Sequence, residues 1–178
     1  DNIWLDDRDS VRTPMQWTPD RNAGFSSADP GKLYLPVISS LVYHYNSVNV
    51  EAQMASSSSL LHWTRRMLHV RRAHPVLGRG KFLMRDVSDD AVLAHTRHEE
   101  EGPSGEPGET LLCVANLADS PRCAIIALPD LAGRTTTDVL GGAAFPAVGP
   151  DGRLTLTLGA RGYYWLTVDP ETQGGNGR

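Results

Sequence analysis

Residues 6–17, DDRDSVRTPMQW, contain the side chains whose types and spacing best suit binding chemistry. Arg8 stands next to Asp9, and Arg12 follows three positions later. A guanidinium presents a planar fork of donors, and an adjacent carboxylate adds acceptors. That combination suits a ligand rich in hydroxyl groups, because each hydroxyl both donates and accepts. From spacing alone, a loop whose arginines only form salt bridges is the simpler interpretation.

The surroundings of this cluster, residues 1–58, show little hydrophobic periodicity. The stretch TPDRNAGFSSADPGK is rich in Pro, Gly, Asp, Asn and Ser, which favour turns for distinct backbone reasons. We therefore predict a long irregular segment. An irregular segment of that length is uncommon in a compact domain, and where it occurs it often has a function.

A single long helix is predicted by SSSSLLHWTRRMLHVRRAHP. The serines can cap its start, and Pro75 should end it. Leu60, Trp63, Met67 and Val70 recur at steps of three and four residues, which places them on one face. We expect Trp63 to be buried in a core on that face.

From about Gly80 onward the hydrophobic period changes to two. Strands are predicted for seven segments: KFLMRDV, AVLAHTR, TLLCVANL, CAIIALP, TTTDVL, LTLTL and GYYWLTV. Clusters of Gly, Pro, Asp and Ser separate them, which favours an antiparallel sandwich. The acidic stretch HEEEGPSGEPGE at residues 98–109 predicts a mobile hairpin loop, and DPETQGGNGR predicts a disordered tail or a linker.

The composition limits the functional class. The chain has 178 residues, of which 40% are hydrophobic, and a formal net charge of −4. That size fits one domain or two small ones with a real core. The mildly acidic balance argues against nucleic acid as a partner. No signal peptide or membrane-spanning run is visible, so we expect a cytoplasmic protein with no membrane partner.

The cysteines, histidines and clustered aspartates do not indicate a metal or redox site. Cys113 and Cys123 lie in apolar runs without zinc or redox spacing, so we expect buried free thiols. A disulfide between neighbouring strands remains an alternative. No metal is predicted, because the histidines are scattered and the acidic residues 6, 7 and 9 lack the glycine and distal glutamate of an EF-hand.

Several motifs carry a resemblance to a known family. The segment DNIWLDDRDSVRTPMQWTPDRNAGFS resembles the region after the eighth barrel strand in the alpha-amylase superfamily, glycoside hydrolase family 13. RTPMQW followed by NAGF is typical of its alpha-glucosidase and oligo-1,6-glucosidase branch, and the fuller form most resembles the trehalose synthases. LYLPVI, VNVEAQ, SLLHWTRRMLHVRRAHPVLGRG and LLCVANL agree in the same order. Asp6 and Ser10 depart from the pattern, since glycine is usual at both positions.

The resemblance implies an α+β fragment of a longer protein. Residues 1–79 would form the end of a (β/α)8 catalytic barrel, namely the irregular loop segment after strand eight and the last helix. Residues 80–168 would form a C-terminal, all-β antiparallel sandwich domain, and residues 169–178 a disordered tail. The catalytic carboxylates of this family come from barrel strands four, five and seven, which precede the matched segment.

The resemblance therefore assigns no catalytic residue to this chain, and we expect the isolated chain to be inactive. Arg8, Asp9 and Arg12 are the substrate-binding candidates, with Arg8 favoured for the sugar and Arg12 for holding the loop. The implied parent interconverts maltose and trehalose by intramolecular glucosyl transfer, without a cofactor. We expect the parent enzyme to bind a disaccharide, maltose or trehalose. We also expect this chain to pack on the missing barrel or to self-associate.

Two alternatives remain. The first is the C-terminal portion of an alpha-glucosidase or oligo-1,6-glucosidase, which hydrolyses its substrate. The second is a non-catalytic accessory β domain that binds carbohydrate.

Overall fold

A computed structural model describes residues 12–101 and 108–169 of the chain. The chain divides into two compact units, Asp1–His69 and Val70–Arg178. Residues 102–107 of the predicted loop and residues 170–178 of the predicted tail lie outside the described residues. Among the described residues, no helix combines the length and the hydrophobicity needed to cross a bilayer.

The first unit has little regular structure, as its turn-rich sequence predicts. Among residues 12–69, the regular elements are helix α1 (Val50–Ala55), the beginning of helix α2 (Leu60–Ala73), and short 3₁₀ turns at Arg21–Gly24 and Pro30–Lys32. Helix α1 was not predicted, since VNVEAQ is too short for a period of 3.6 to be visible.

Helix α2 confirms the long helix predicted from the sequence. The hydroxyl of Ser59 accepts a hydrogen bond from the backbone N–H of His62 at 3.3 Å, which caps the first turn. The expectation that Trp63 is buried is wrong, because its side chain is 40% exposed and Leu60 is 69% exposed. Among the described residues, Val70 is the buried residue of this helix, and the stripe belongs to neither of the two hydrophobic core clusters.

The second unit is an antiparallel β-sandwich, and all seven predicted strands are present. Its strands are β1 (Lys81–Met84), β2 (Val92–His98), β3 (Thr110–Asn116), β4 (Arg122–Ala127), β5 (Thr135–Asp138), β6 (Ala144–Phe145), β7 (Arg153–Leu158) and β8 (Tyr163–Asp169). One sheet has the order β1-β2-β3-β8-β5-β6, and the other pairs β4 with β7. Only the two-residue strand β6 lacks a prediction, because it is too short to show alternation.

The main core lies between these two sheets. Strand β7 shows the underlying alternation most clearly: Leu154, Leu156 and Leu158 are buried, whereas the intervening residues are exposed. The register between β2 and β3 places Ala94 opposite Val114 and Val92 opposite Asn116 on the same inner face. Full burial of each such leucine stabilises the fold by about 2 kcal/mol.

A second, smaller cluster covers the outer face of the six-stranded sheet. Val76 and Leu77 of helix α3 (Val76–Arg79) pack there with Leu111 and Cys113 of β3. Strand β3 is therefore apolar on both faces. Both cysteines are free, so the alternative of a disulfide is wrong.

Burial differs between the two thiols. Cys113 is buried, as expected, and burial raises the pKa of its thiol to about 11. The expectation that Cys123 is buried is wrong, because its neighbour Ala124 takes the inward position on β4 and turns Cys123 outward.

Candidate functional site

The RTPMQW segment is fixed against the start of helix α1. The carbonyl oxygens of Gln16 and Trp17 accept hydrogen bonds from the N–H groups of Val50 and Glu51 at 2.9 and 3.0 Å. The next N–H of the helix, from Ala52, donates to the side chain of Asn49 at 2.8 Å. The first N–H groups of a helix have no partner within the helix, so this segment supplies what α1 needs in order to begin.

The side chain of Gln16 holds the same segment from a second direction. Its Nε2 donates to the carbonyl oxygens of Tyr43 and Val48, each at 2.9 Å. One glutamine thus joins residues about thirty positions apart in the sequence. No periodic pattern predicts this contact, because it depends on the tertiary path of an irregular chain.

A strained turn holds the segment from a third side. Asn22, Ala23 and Gly24 are consecutive residues with φ angles of 53°, 58° and 67°. The carbonyl of Ala23 accepts hydrogen bonds from the N–H groups of Trp17 and Thr18 at 2.8 and 3.1 Å. Each non-glycine residue in this left-handed region costs roughly 1 kcal/mol, so the surrounding contacts must hold the turn in place.

The side chain of Asn22 provides part of that stabilisation. It is buried, and its Nδ2 donates to the carbonyl oxygens of Ser26 and Ala28 at 2.9 and 2.8 Å. At Gly24, an added Cβ would lie 2.4 Å from the hydroxyl oxygen of Thr18, so only glycine fits. The NAG triplet of the sequence carries the signal, since asparagine and glycine tolerate positive φ better than other residues.

Arg12 stands at the start of this fixed segment, and it is exposed. Together with neighbouring residues it lines a cavity of about 220 Å³. The other lining residues are Thr13, Pro14, Phe25, Leu33, Tyr34 and Leu35. A cation beside apolar and aromatic surface suits a ligand with both hydroxyl groups and a flat apolar face.

The other two predicted site residues, Arg8 and Asp9, lie outside the described residues. Their role therefore remains a prediction. The residues that sequence reasoning missed are Gln16, Asn22 and Asn49, which position the segment through hydrogen bonds to backbone groups.

The histidines were expected to have no metal role. Within residues 12–101 and 108–169, no group of three or more His, Cys, Asp or Glu side chains is arranged to hold a metal ion. His74 instead contacts Glu109 at 2.5 Å, and His98 Nδ1 lies 2.9 Å from the hydroxyl of Thr110.

Two protein-family models together match nearly the whole chain. Residues 2–80 match a family model for the alpha amylase catalytic domain, and residues 82–165 match one for the maltogenic amylase C-terminal domain. The chain belongs to the alpha-amylase family. In this alpha-amylase family chain, the match to the catalytic domain is followed directly by the match to the C-terminal domain.

Individual relatives refine this assignment. The chain is 52% identical to a trehalose synthase of Pimelobacter over 98% of its length, which is 30% of that enzyme's length. An oligo-1,6-glucosidase of Parageobacillus thermoglucosidasius is 29% identical over 54% of the chain, and 16% of its own length is covered. The crystal structure of the trehalulose synthase from Pseudomonas mesoacidophila superposes with a TM-score of 0.66 at 28% identity, covering 91% of this chain and 26% of that one.

The match is thus extensive for this chain and partial for its relatives. The chain spans about 30% of the length of the trehalose synthase that it matches. The fold class expected from the sequence, a barrel-end segment followed by an antiparallel β domain, agrees with these matches.

Proposed function

We propose that this chain is the C-terminal portion of an enzyme that interconverts maltose and trehalose by intramolecular glucosyl transfer. The near-complete match with a trehalose synthase carries the proposal. The weaker and shorter match with an oligo-1,6-glucosidase favours an isomerising parent over a hydrolysing one. The match with the trehalose synthase also counts against an independent accessory domain, since it extends through both halves of the chain.

The chemistry of this reaction would depend on groups outside the chain. Retaining glycoside chemistry needs a carboxylate nucleophile and a carboxylic acid that flank one glycosidic bond. In the proposal, both come from the remainder of the enzyme, and this chain contributes one wall of the substrate pocket. The chain alone would then not turn over maltose, and no cofactor would take part.

Residues 6–17, which end in the RTPMQW segment, would form that wall. Arg8 would donate to a hydroxyl of the sugar, and Asp9 would accept from one. The exposed position of Arg12 beside an apolar cavity supports a sugar contact from this side chain as well. The rigid attachment of Gln16 and Trp17 supports the proposal too, because a substrate contact works only if its geometry is held.

Substitution of the arginines tests this role. In the full-length enzyme, we expect Arg8→Ala and Arg12→Ala each to reduce kcat/KM for maltose by about tenfold or more, the loss of a charged hydrogen bond. Arg21→Ala is the matched control, because Arg21 is also exposed in this unit and does not line the cavity. Unchanged kcat and KM in both test variants would refute the substrate role of this segment.

Product analysis separates the candidate activities. The full-length enzyme incubated with maltose should yield mainly trehalose, whereas free glucose as the main product would favour the hydrolase alternative. The isolated 178-residue chain should release neither sugar. Detectable turnover by the pure chain would show that the catalytic groups lie within it. Fractionation of cells should recover the enzyme in the cytoplasm.

A further inference from the structure

An open corner of the β-sandwich forms a second cavity, which is distinct from the RTPMQW segment. The two-stranded sheet packs on the inner faces of β2, β3 and β8, but Lys81 and Leu83 of β1 stay exposed. The register aligns Leu83 with Thr96 and Lys81 with His98, so these side chains share the inner face. A cavity of about 270 Å³ lies there, which we call the corner cleft.

The corner cleft is lined by two sheet strands beyond β1 and by the turn that follows β4. Its lining residues are Lys81, Leu83, Arg85, Thr96, His98, Thr110, Asp130, Leu131 and Arg134. Along β2 the inward-facing residues change from apolar, at Val92 and Ala94, to polar at Thr96 and His98. The core pattern thus gives way to hydrogen-bonding groups where the cleft begins.

Two of the polar side chains in the cleft are buried and joined by a hydrogen bond. Thr96 is 1% exposed, and the side chain of Arg85 is 8% exposed. Arg85 Nε donates to the hydroxyl of Thr96 at 2.9 Å, and its two terminal nitrogens donate to the carboxylate of Asp130. A guanidinium has five N–H donors, so these three bonds leave one N–H on each terminal nitrogen, and the two point away from each other.

The charge balance within the cleft is positive. Lys81, Arg85 and Arg134 are basic residues, and among the described residues that line the cleft they meet one carboxylate, that of Asp130. The hydrogen bond from Arg85, with the positive charges of Arg85 and Arg134, holds the pKa of Asp130 below its ordinary value. Burying a cation such as Arg85 is costly unless anions surround it.

A neighbouring cavity sets the limit of this positive region. Arg134 and His98 line both cavities, whereas Glu100, Glu109 and Asp169 line only the neighbouring one. Glu109 already pairs with His74. An anion is therefore favoured on the side of Lys81 and Arg85, with Arg134 at the boundary.

We propose that the corner cleft binds the phosphate group of a small phosphorylated molecule. Arginine is a favoured partner of phosphate oxygens, and Arg85 contributes its positive charge to the cleft. Lys81 and Arg134 add charge from two further directions. A phosphate group has only five heavy atoms, so the cleft leaves room for a small organic part such as a sugar ring.

Calorimetric titration of the full chain tests this assignment with three probes: inorganic phosphate, glucose 6-phosphate and glucose. Glucose 6-phosphate should bind, and glucose should not. If inorganic phosphate binds as tightly as glucose 6-phosphate, the site recognises the phosphate ion alone. If inorganic phosphate binds more weakly, the site also recognises the organic part of the ester. Either result supports recognition of phosphate.

Matched variants locate the binding. Lys81→Gln and Arg134→Gln should each weaken binding of glucose 6-phosphate about tenfold, the usual size of a charge-assisted contact. Lys32→Gln removes the same charge from an exposed position in the other unit and should leave binding unchanged. Thermal melts of the variants confirm that each is folded.

Nuclear magnetic resonance supplies an independent readout. Addition of glucose 6-phosphate should shift the amide signals of Thr96, His98 and Arg134. The proposal is wrong if no phosphate compound binds, if glucose binds as tightly as its phosphate ester, or if the shifts lie in another part of the chain. Equal binding by the wild type and both cleft variants would refute it as well.

Discussion

The carboxylate of Asp130 accepts two hydrogen bonds from the guanidinium of Arg85, at 2.5 and 2.8 Å. The two residues are 45 positions apart in the sequence. Their pairing joins the end of β1 to the turn that follows β4. The hydrogen bond from Arg85 is the main reason why the pKa of Asp130 lies below its ordinary value of 3.8.

This pair predicts a loss of stability at acid pH. Because the folded-state pKa of Asp130 is depressed, its contribution is complete above the unfolded-state pKa and is lost as the pH falls through the folded-state value. The free energy of unfolding should therefore decrease below about pH 4, and Asp130→Asn should reduce this decrease. Urea denaturation at a series of acid pH values measures this free energy of unfolding. Asp119→Asn, which alters an exposed carboxylate, should retain the wild-type dependence.

The strained turn predicts an unusually costly glycine substitution. Gly24→Ala adds a Cβ at a φ of +67° and places it 2.4 Å from the hydroxyl of Thr18. Gly142→Ala is the matched control, because Gly142 has a φ of +69° but no atom within 4 Å of the added Cβ. We expect a cost of about 1 kcal/mol for the control and of about 2 kcal/mol or more for Gly24→Ala.

Chemical denaturation and hydrogen exchange around Trp17 check this difference. In Gly24→Ala, the amide of Trp17 should exchange faster, because its partner is the carbonyl of Ala23 in the same turn. Equal stability of the two variants would mean that the contact between the turn and Thr18 is not tight.

A buried asparagine should be essential to the sandwich. Asn116 is 2% exposed, and its Nδ2 donates to the carbonyl oxygens of Ser120 and Gly159, each at 2.8 Å. Asn116→Ala leaves both carbonyls without this donor, so we expect a loss of about 2–4 kcal/mol in the free energy of unfolding. The exposed Asn46→Ala should change it by less than about 0.5 kcal/mol. A small effect at Asn116 would show that water replaces the side chain.

The two thiols should differ in reactivity. Cys123 is exposed, whereas burial raises the pKa of Cys113 to about 11 and keeps it protonated. A thiol reagent at neutral to slightly alkaline pH should modify one cysteine in the native chain and both after denaturation. Cys123→Ser should abolish the native reaction, and Cys113→Ser should preserve it. Rapid modification of Cys113 in the folded wild type would contradict its burial.

The regular elements were predictable where a local pattern repeats often enough to be recognised. Leu154, Leu156 and Leu158 show the alternation of a half-buried strand, and the Leu60–Ala73 stripe shows the period of a helix. Two short elements were not predictable, because the two residues of β6 cannot show alternation and the six residues of α1 span fewer than two turns of a helix. Trp63 shows the limit of a helical stripe, which tells which residues share a face but not what covers that face.

The site was predictable only as a segment. The residues RTPMQW, NAGF and VNVEAQ could be recognised by their resemblance to a family, and Asn22 and Gly24 are types that tolerate positive φ. Their hydrogen bonds to one another could not be foreseen, since Gln16 meets Tyr43 and Val48 only after the irregular chain has folded back.

By itself, the sequence determined the family, the long helix and seven strands, because each depends on local patterns or on motif order. The tertiary structure alone decided which polar groups meet. It placed Arg85 beside Asp130 and Thr96, turned Cys123 outward, and left the corner cleft open where the small sheet does not cover β1. Such contacts join residues distant in sequence, and their energies depend on the burial and geometry that only the folded chain provides.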